Sequence, residues 1–564
     1  MIEIIIFFLF FFLLLLSTIG FGFLFQNLCF GSTENLEEQN IIYIGFYGLF
    51  FLTLISLITS LLFPHNFIHN TIIHFFGILF FGFFKIKNKK EYLKIIFLIS
   101  IFTISALIIS KTHDDFSYYH LPITRYLTEH KIIFGTGNLT HGYKLLSSLF
   151  FLNSIFYLPF IEYYSFHFSL LYFLIFFNYF LFKEIFSKKN EEIIKYIYLL
   201  AFIFFNLSFN RLAEYGTDKV GQLLIVVLLI KIFNLSCFDK SQNNLKNLLH
   251  LIPLMALCIT LKTYFLTYIL IVLMVFILNE KYYKIIKYIF FSKSFLFLFL
   301  SISAYFFHHF ISTGCIISPL SITCFGDNLE WASNKSHYEK LSNWLEQWAK
   351  AGAGPNFRVE NPNEYIKNFN WFPRWFEYYF MGKVKDQLLI LISTFFIILF
   401  LFKNLKLKNN EILWNKKILF FYFVILIIFF IWFTNHPQLR YGGYSIVFLT
   451  LSIPLAILLN KFENKKFFKK KFNLIIIMVI LIFNTKNFIR IYDEFQRTDH
   501  YKFKNFPYFA IQEKDYTFEK TNSDLKIYQT NGHCWNVPSP CVQSMNKLGL
   551  KTIKFNGYYF IMYK

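Results

Sequence analysis

The chain has 564 residues, is 56% hydrophobic and 22% aromatic, and carries a net charge of +22 on only 16% charged residues. Soluble domains are roughly one-quarter charged, so this balance argues against a soluble fold, and with it against reading the positive charge as a nucleic-acid face. The 82 Phe accompany abundant Ile, Lys and Asn, the mark of an AT-biased coding sequence, so phenylalanine richness carries no functional weight.

In chain order, residues 1–25 form the first predicted span. The stretch has no basic leading region, carries Glu3, and is longer than the apolar part of a signal peptide. Runs such as 41–63 and 418–434 approach or exceed the roughly 20 apolar residues that cross a hydrocarbon core about 30 Å thick. Short Lys-rich loops separate the spans: Lys85, Lys87, Lys89, Lys90 and Lys94; Lys183, Lys188, Lys189 and Lys195; Lys403, Lys406, Lys408, Lys416 and Lys417; and the densest, Lys461, Lys465, Lys466, Lys469, Lys470 and Lys471. By the positive-inside rule these loops are cytoplasmic. Threading the apolar segments through them predicts about 14 transmembrane helices with both termini outside. A full crossing by 144–160 would put the Lys183 loop on the wrong side, so that segment is expected to be an interfacial or re-entrant helix.

The expected fold class is an all-α polytopic membrane protein with a small extracytoplasmic α+β domain at its C-terminus. N-terminal helices fill 1–110, a first large outer loop 111–165, a transmembrane core 166–312, a second outer loop 313–386, further helices 387–487, and the small domain 488–564. In the second outer loop, Ser336 and Glu339 have capping-box spacing. Tyr338, Leu341, Leu345 and Trp348 recur at helical spacing before Gly352, which predicts an amphipathic helix on the membrane surface. In the tail, 525–529 and 552–560 are strand-like. Cys315 and Cys324 share one outer loop, and Cys534 and Cys541 share the tail. Two local disulfides are the natural pairing on an oxidising side, although the Cys534/Cys541 spacing also suits half a metal site.

Three polar constellations abut outer helix ends. The first contains His113, Asp114, Asp115, Tyr119 and His120. Adjacent carboxylates at a membrane boundary need solvation, pairing or a cation, which suits a general base or a metal ligand. No cofactor is specified by the residues beyond a divalent cation that Asp114 and Asp115 would allow. The second crowds Arg211, Glu214, Asp218 and Lys219 into one turn, where Asp218 either caps the next helix or serves a site. The third carries Arg440, against the positive-inside bias and with a planar fork suited to phosphate. Lys262 adds a cation inside an apolar stretch, where it either snorkels or meets an anion.

The order of these groups resembles that of GT-C glycosyltransferases: an acidic motif in the first large outer loop, a second acid before a later helix, then a Lys, then a late Arg. More narrowly, Asp115 before Tyr119-His120-Leu121, the run Gly137-Asn138-Leu139-Thr140-His141-Gly142, the run Pro437-Gln438-Leu439-Arg440-Tyr441-Gly442, and the Cys534-Trp535 to Pro540-Cys541 tail resemble a family of uncharacterised bacterial polytopic membrane proteins. That resemblance covers roughly residue 112 to the C-terminus. It implies a multi-pass enzyme of the bacterial inner membrane, active on its periplasmic face, that moves a sugar from a polyprenyl-phosphate-linked donor to an envelope acceptor. Membrane lipids and that donor are the implied partners. Asp115 would be the catalytic acid/base with Asp114 assisting. Arg440 and Lys262 would bind the phosphate, and Asp218, Glu214, Tyr119 and His120 would complete the substrate site. The acidic loop follows the fourth apolar segment rather than the first, a departure from the simplest GT-C plan. A transporter or flippase of lipid-linked saccharides is the competing expectation, and a non-catalytic scaffold a third.

Overall fold

The computed structural model describes residues 2–31, 38–86, 88–110, 112–209, 212, 215–238, 244–272, 282–326, 328–354, 357–401, 415–462, 467–496, 507–508, 511–521, 523–543 and 549–563. Lys87, Lys403, Lys406, Lys408, Lys465 and Lys466, used above for orientation, lie outside them. Among the described residues, nine helices are long and apolar enough to cross a membrane, and four shorter apolar helices accompany them, Ile44–Thr59, Phe67–Phe83, Asn247–Leu261 and Thr263–Val272. The chain is mostly helical with a small C-terminal strand region.

The first helix, Ile2–Phe30, packs along Ile44–Thr59 and Phe67–Phe83. Small residues let these backbones touch, as at helix contacts in an apolar medium. A side chain at Gly20 would collide with the Gly77 carbonyl, and one at Gly48 with the Thr18 carbonyl. Residues 144–160 do not cross. Their only α-helix, Ser148–Ser154, has seven residues and rises about 10 Å. All seven are buried, so this short helix is enclosed by protein.

The amphipathic segment forms the helix Lys335–Ala349, but Asn334 precedes it without a side-chain cap bond, so the expected capping box at Ser336 does not form. Nor is its apolar face free for a membrane surface. Tyr338 and Leu341 pack against Cys315, and the Tyr338 hydroxyl donates to the Thr313 carbonyl, 2.9 Å.

Cys315 pairs with Cys324 and Cys534 with Cys541, the latter excluding the half metal site. Cys29, Cys237 and Cys258 are free thiols. The last long helix runs Phe467–Gln496, so the strand region begins beyond 496 rather than at 488. Its described residues hold strands and no helix, in place of the expected α+β mixture. Tyr516–Lys520, Lys526–Thr530 and Cys541–Val542 form one sheet, the last pair parallel. Leu550–Phe555 and Tyr558–Tyr563 form a hairpin. Its two-residue loop, Asn556-Gly557, has positive φ at both positions, the geometry that matches strand twist. The hairpin docks by main chain on Phe134, whose N–H donates to the Tyr559 carbonyl and whose carbonyl accepts from the Ile561 N–H, each 2.9 Å.

Candidate functional site

Three breaks in regular helix carry the charged residues together. Asp115 stands immediately before a π-helical turn, Phe116–His120, that runs into the helix Leu121–Glu129. Such widened turns are frequent at functional sites. Arg440 lies in a second one, Leu439–Gly443, where Tyr441 and Gly442 leave helical geometry. Gly442 has φ +84°, and a Cβ there would press on the Tyr264 ring at 3.0 Å, so both conformation and space favour glycine. Lys262 sits where the helix Asn244–Leu261 ends. Its backbone is extended, and a 3-10 helix, Thr263–Tyr268, restarts the chain. Lys262 thus stands between two helical stretches rather than within one.

Arg440 bridges two carboxylates. Its Nη2 lies 3.2 Å from Asp115 Oδ2, and its Nε lies 3.2 Å from Asp218 Oδ2. Lys262 pairs with the other oxygen of Asp218, donates to the Arg440 carbonyl at 3.1 Å and lies 4.6 Å from the centre of the Tyr441 ring. Lys262 therefore meets an anion rather than snorkelling. Asp218, in the first turn of Thr217–Cys237, serves this cluster rather than a cap. The side chains are 18% to 32% exposed, open enough to escape the full cost of burying an ion pair.

Neighbouring groups fix the Arg440 loop in place. Trp432 Nε1 donates to the Gln438 carbonyl at 2.9 Å, Trp375 Nε1 to the Pro437 carbonyl at 2.7 Å, and Gln222 Nε2 to the Leu439 carbonyl at 3.0 Å. The Leu439 N–H donates to the Tyr379 hydroxyl, 2.8 Å. A guanidinium held this way is pre-organised for an anion.

Asp114 is exposed, and its carbonyl accepts from the Ser117 hydroxyl, 3.2 Å. Arg440 balances the charge of Asp115, whose N–H donates to His113 Nδ1 at 3.2 Å. No group of three or more His, Cys, Asp or Glu suited to a metal occurs among the described residues. Glu214 and Arg211 lie outside the described residues.

A cavity of about 410 Å³ opens beside the cluster. Arg440, Lys262, Asp218, Tyr119, His120, Tyr441 and His436 line it together with apolar residues such as Leu145, Phe150, Leu266, Leu320 and Leu345. Asp115 does not line it and touches it only through Arg440. Burial holds His436 down to about 4, so it faces the cavity as a neutral imidazole at physiological pH. Leu345 and Ser342 belong to Lys335–Ala349, which thus forms part of the cavity wall.

Sequence reasoning did not single out the surroundings of Asp115. His141 Nδ1 is 3.2 Å from the Tyr118 hydroxyl, and Tyr118 packs near His533 of the tail. Burial lowers the His141 pKa, with Asp115 opposing. The Trp535 N–H donates to the Ser117 carbonyl at 3.1 Å, and His533 Nδ1 is 2.8 Å from the Ser117 hydroxyl. The disulfide loop of the tail thus packs on the acidic turn. His141 and Trp535 stand inside the runs quoted above, and His533 adjoins Cys534, but nothing in the sequence says that they meet.

Lys144 ties the Lys335–Ala349 helix to this region. Its ammonium contacts His337 Nε2, and burial brings Lys144 down to about 8. Desolvation, with the charges of Lys144 and Lys340, also lowers His337. Both groups bind protons more readily once the helix is undocked. Docking is thus strongest at high pH, weakens as pH falls from the ordinary lysine value of 10.5 through about 8, and weakens again below the ordinary histidine value of 6.5. Hydrogen exchange of residues 335–349, corrected for intrinsic rates, is expected to show less protection at pH 6 than at pH 9. The Lys144→Met variant is expected to flatten that dependence. Equal protection at both pH values would contradict the coupling.

No curated protein and no solved structure matches the chain. A family model, Domain of unknown function (DUF8201), matches residues 1–448. The match takes in the N-terminal helices, the acidic turn, Asp218, Lys262 and the Arg440 loop, and it ends before the strand region. The chain belongs to that family.

Proposed function

We propose that this protein is a multi-pass glycosyltransferase of the GT-C kind in a bacterial inner membrane, moving a sugar from a polyprenyl-phosphate-linked donor to a periplasmic acceptor. The observation that carries the reading is the cluster of Arg440, Asp218 and Lys262 on one wall of an otherwise largely apolar cavity, with Asp115 behind Arg440. An amphiphile with an anionic head suits such a space. Arg440 donates Nη2 to Asp115, and its Nε lies beside Asp218 without hydrogen-bond geometry, which leaves Nη1 for a phosphate oxygen. Lys262 adds a second positive charge beside it.

Asp115, on the far side of Arg440 from the cavity, suits the acceptor. In transfer with inversion, Asp115 takes the acceptor hydroxyl's proton, the acceptor oxygen bonds the anomeric carbon, and the bond from that carbon to the phosphate oxygen breaks. The leaving lipid phosphate keeps the electron pair, and Arg440 and Lys262 stabilise its charge. His141, Tyr118 and His533 flank the approach on the acceptor side.

One observation favours a transporter of the same lipid-linked saccharides. The chain breaks its helix at Lys262, and discontinuous helices are common at transport sites. A single assay separates the two. Purified protein in proteoliposomes, offered polyprenyl-phosphate sugars and candidate acceptors, is expected to release polyprenyl phosphate. Movement of intact donor between leaflets without release would favour transport.

A further inference from the structure

A small apolar hairpin follows the helix Lys293–Thr313. Cys315 and Cys324 face each other across its base as an antiparallel bridge and are joined by their disulfide. From Ser294 to Gly326 the chain carries no Asp, Glu, Lys or Arg. At 1.5 Å per residue the helix rises about 31 Å, close to the thickness of a hydrocarbon core. With Lys293 at one headgroup layer, the hairpin stands at the other.

The hairpin turns apolar side chains outward. Ile322 is 85% exposed, and Ile316, Leu320 and Phe325 are each more than two-fifths exposed. This surface continues that of the helix. Leu296, Leu300 and Phe307 are exposed there at spacings that share one face. Phe310, three residues further along that face, meets the Phe325 ring edge-on, with centroids 6.0 Å apart. On the inner side, Cys315 and Cys324 pack with Tyr338 and Leu341.

Much of the hairpin's backbone is paired within the hairpin. The Ile316 N–H donates to the Thr323 carbonyl at 3.1 Å, the Leu320 N–H to the Ile317 carbonyl at 2.8 Å, and the Cys324 N–H to the Ser321 carbonyl at 3.1 Å. The Thr323 hydroxyl accepts from the Ile317 N–H and donates to the Ile317 carbonyl, both at 3.1 Å. The Phe325 N–H returns to the Gly314 carbonyl at 2.9 Å. An exposed loop in water can leave such groups to solvent, whereas groups carried toward lipid need internal partners.

We propose that the Cys315–Cys324 hairpin is a finger seated in the bilayer, with Leu320, Ile322 and Phe325 at the boundary between headgroups and acyl chains of the leaflet far from Lys293. Apolar faces of interfacial elements lie about 5–10 Å into that boundary, and irregular backbone exposed to lipid goes no deeper. Ile317, Pro319 and Leu320 also line the cavity beside Arg440. The finger thus sets that wall at the depth where an amphiphile's head joins its chain. The proposal rests on the chain spanning a membrane and is independent of the transferase reading.

Photocrosslinking tests it. p-Benzoylphenylalanine is placed singly at Ile322, at Phe299 in the exposed part of the helix, or at exposed Asn531 in the tail. Each full-length protein is illuminated in vesicles of dioleoyl phosphatidylcholine doped with an alkyne-tagged phosphatidylcholine. Lipid labelling at Ile322 is expected to match that at Phe299, and labelling at Asn531 to stay at background. Adding Leu320→Asp to the Ile322 protein is expected to reduce its lipid labelling, because a carboxylate is costly at that depth. With Phe299 labelled, labelling at Ile322 no stronger than at Asn531 would overturn the proposal. So would crosslinking of Ile322 to a second copy of the chain in place of lipid, or labelling unchanged by Leu320→Asp. Absence of labelling at Phe299 would overturn the membrane reading itself. Non-reducing peptide maps check that Cys315 and Cys324 remain paired in every protein compared.

Discussion

Asp115→Asn is expected to lower sugar transfer by roughly 10²- to 10⁴-fold, the range of general acid–base catalysis, while donor binding survives. Asparagine keeps the size of the side chain and an oxygen for Arg440 Nη2, now 3.2 Å from the carboxylate, but it cannot take a proton from an acceptor hydroxyl. Folding should be little affected, because Asp115 is 26% exposed and partly solvated ion pairs contribute on the order of 1 kcal/mol or less. Asp114→Asn is the internal control. Its carboxylate is exposed and outside the Arg440 bridge, so its effect should be much smaller. Turnover and donor affinity measured side by side on membrane-inserted protein decide the matter. Equal losses in the two variants would remove the distinction drawn between the adjacent acids.

Arg440→Ala is expected to damage both binding and turnover. A hydrogen bond to a charged group contributes about 1.5–3 kcal/mol, so donor affinity should fall roughly 10- to 150-fold. Turnover should fall by about a further 10²-fold or more, as when a donor that stabilises developing charge is removed. Arg440→Lys keeps the charge but not the fork, and an ammonium cannot reach Asp115, Asp218 and a phosphate in the same plane. It should recover part of the affinity and little of the rate. Normal donor binding by Arg440→Ala would leave the cavity without its anchor and weaken the case for a phosphate ligand.

Much of the frame was legible from hydropathy and spacing, because apolar runs of sufficient length have few alternatives to helix. The cysteine pairs were legible for a similar reason, since each pair shares one short segment. The joining of Asp115, Asp218, Lys262 and Arg440 was expected only as a shared order of residues, and the structure supplies the bridge. What could not be read was set by tertiary contact. Ser336 has the spacing of a cap, yet the chain enters the helix two residues earlier, at Asn334. Tyr338 and Leu341 have the spacing of a surface-lying helix, yet they pack against Cys315 and Cys324 earlier in the same loop. The break at Lys262 carries no proline or glycine to announce it, and it coincides with the ion pair to Asp218. The tail's contact with Ser117 joins segments more than 400 residues apart, which no local pattern encodes.

The most direct test of the central claim is a map of the purified chain bound to a polyprenyl-phosphate donor or to polyprenyl phosphate itself. The account predicts a phosphate within hydrogen-bonding distance of Arg440 and beside Lys262, its lipid chain in the cavity lined by Leu145, Phe150 and Leu266, and Asp115 on the opposite side of the guanidinium. A phosphate held elsewhere, with the Asp115–Arg440–Asp218 bridge untouched, would contradict it.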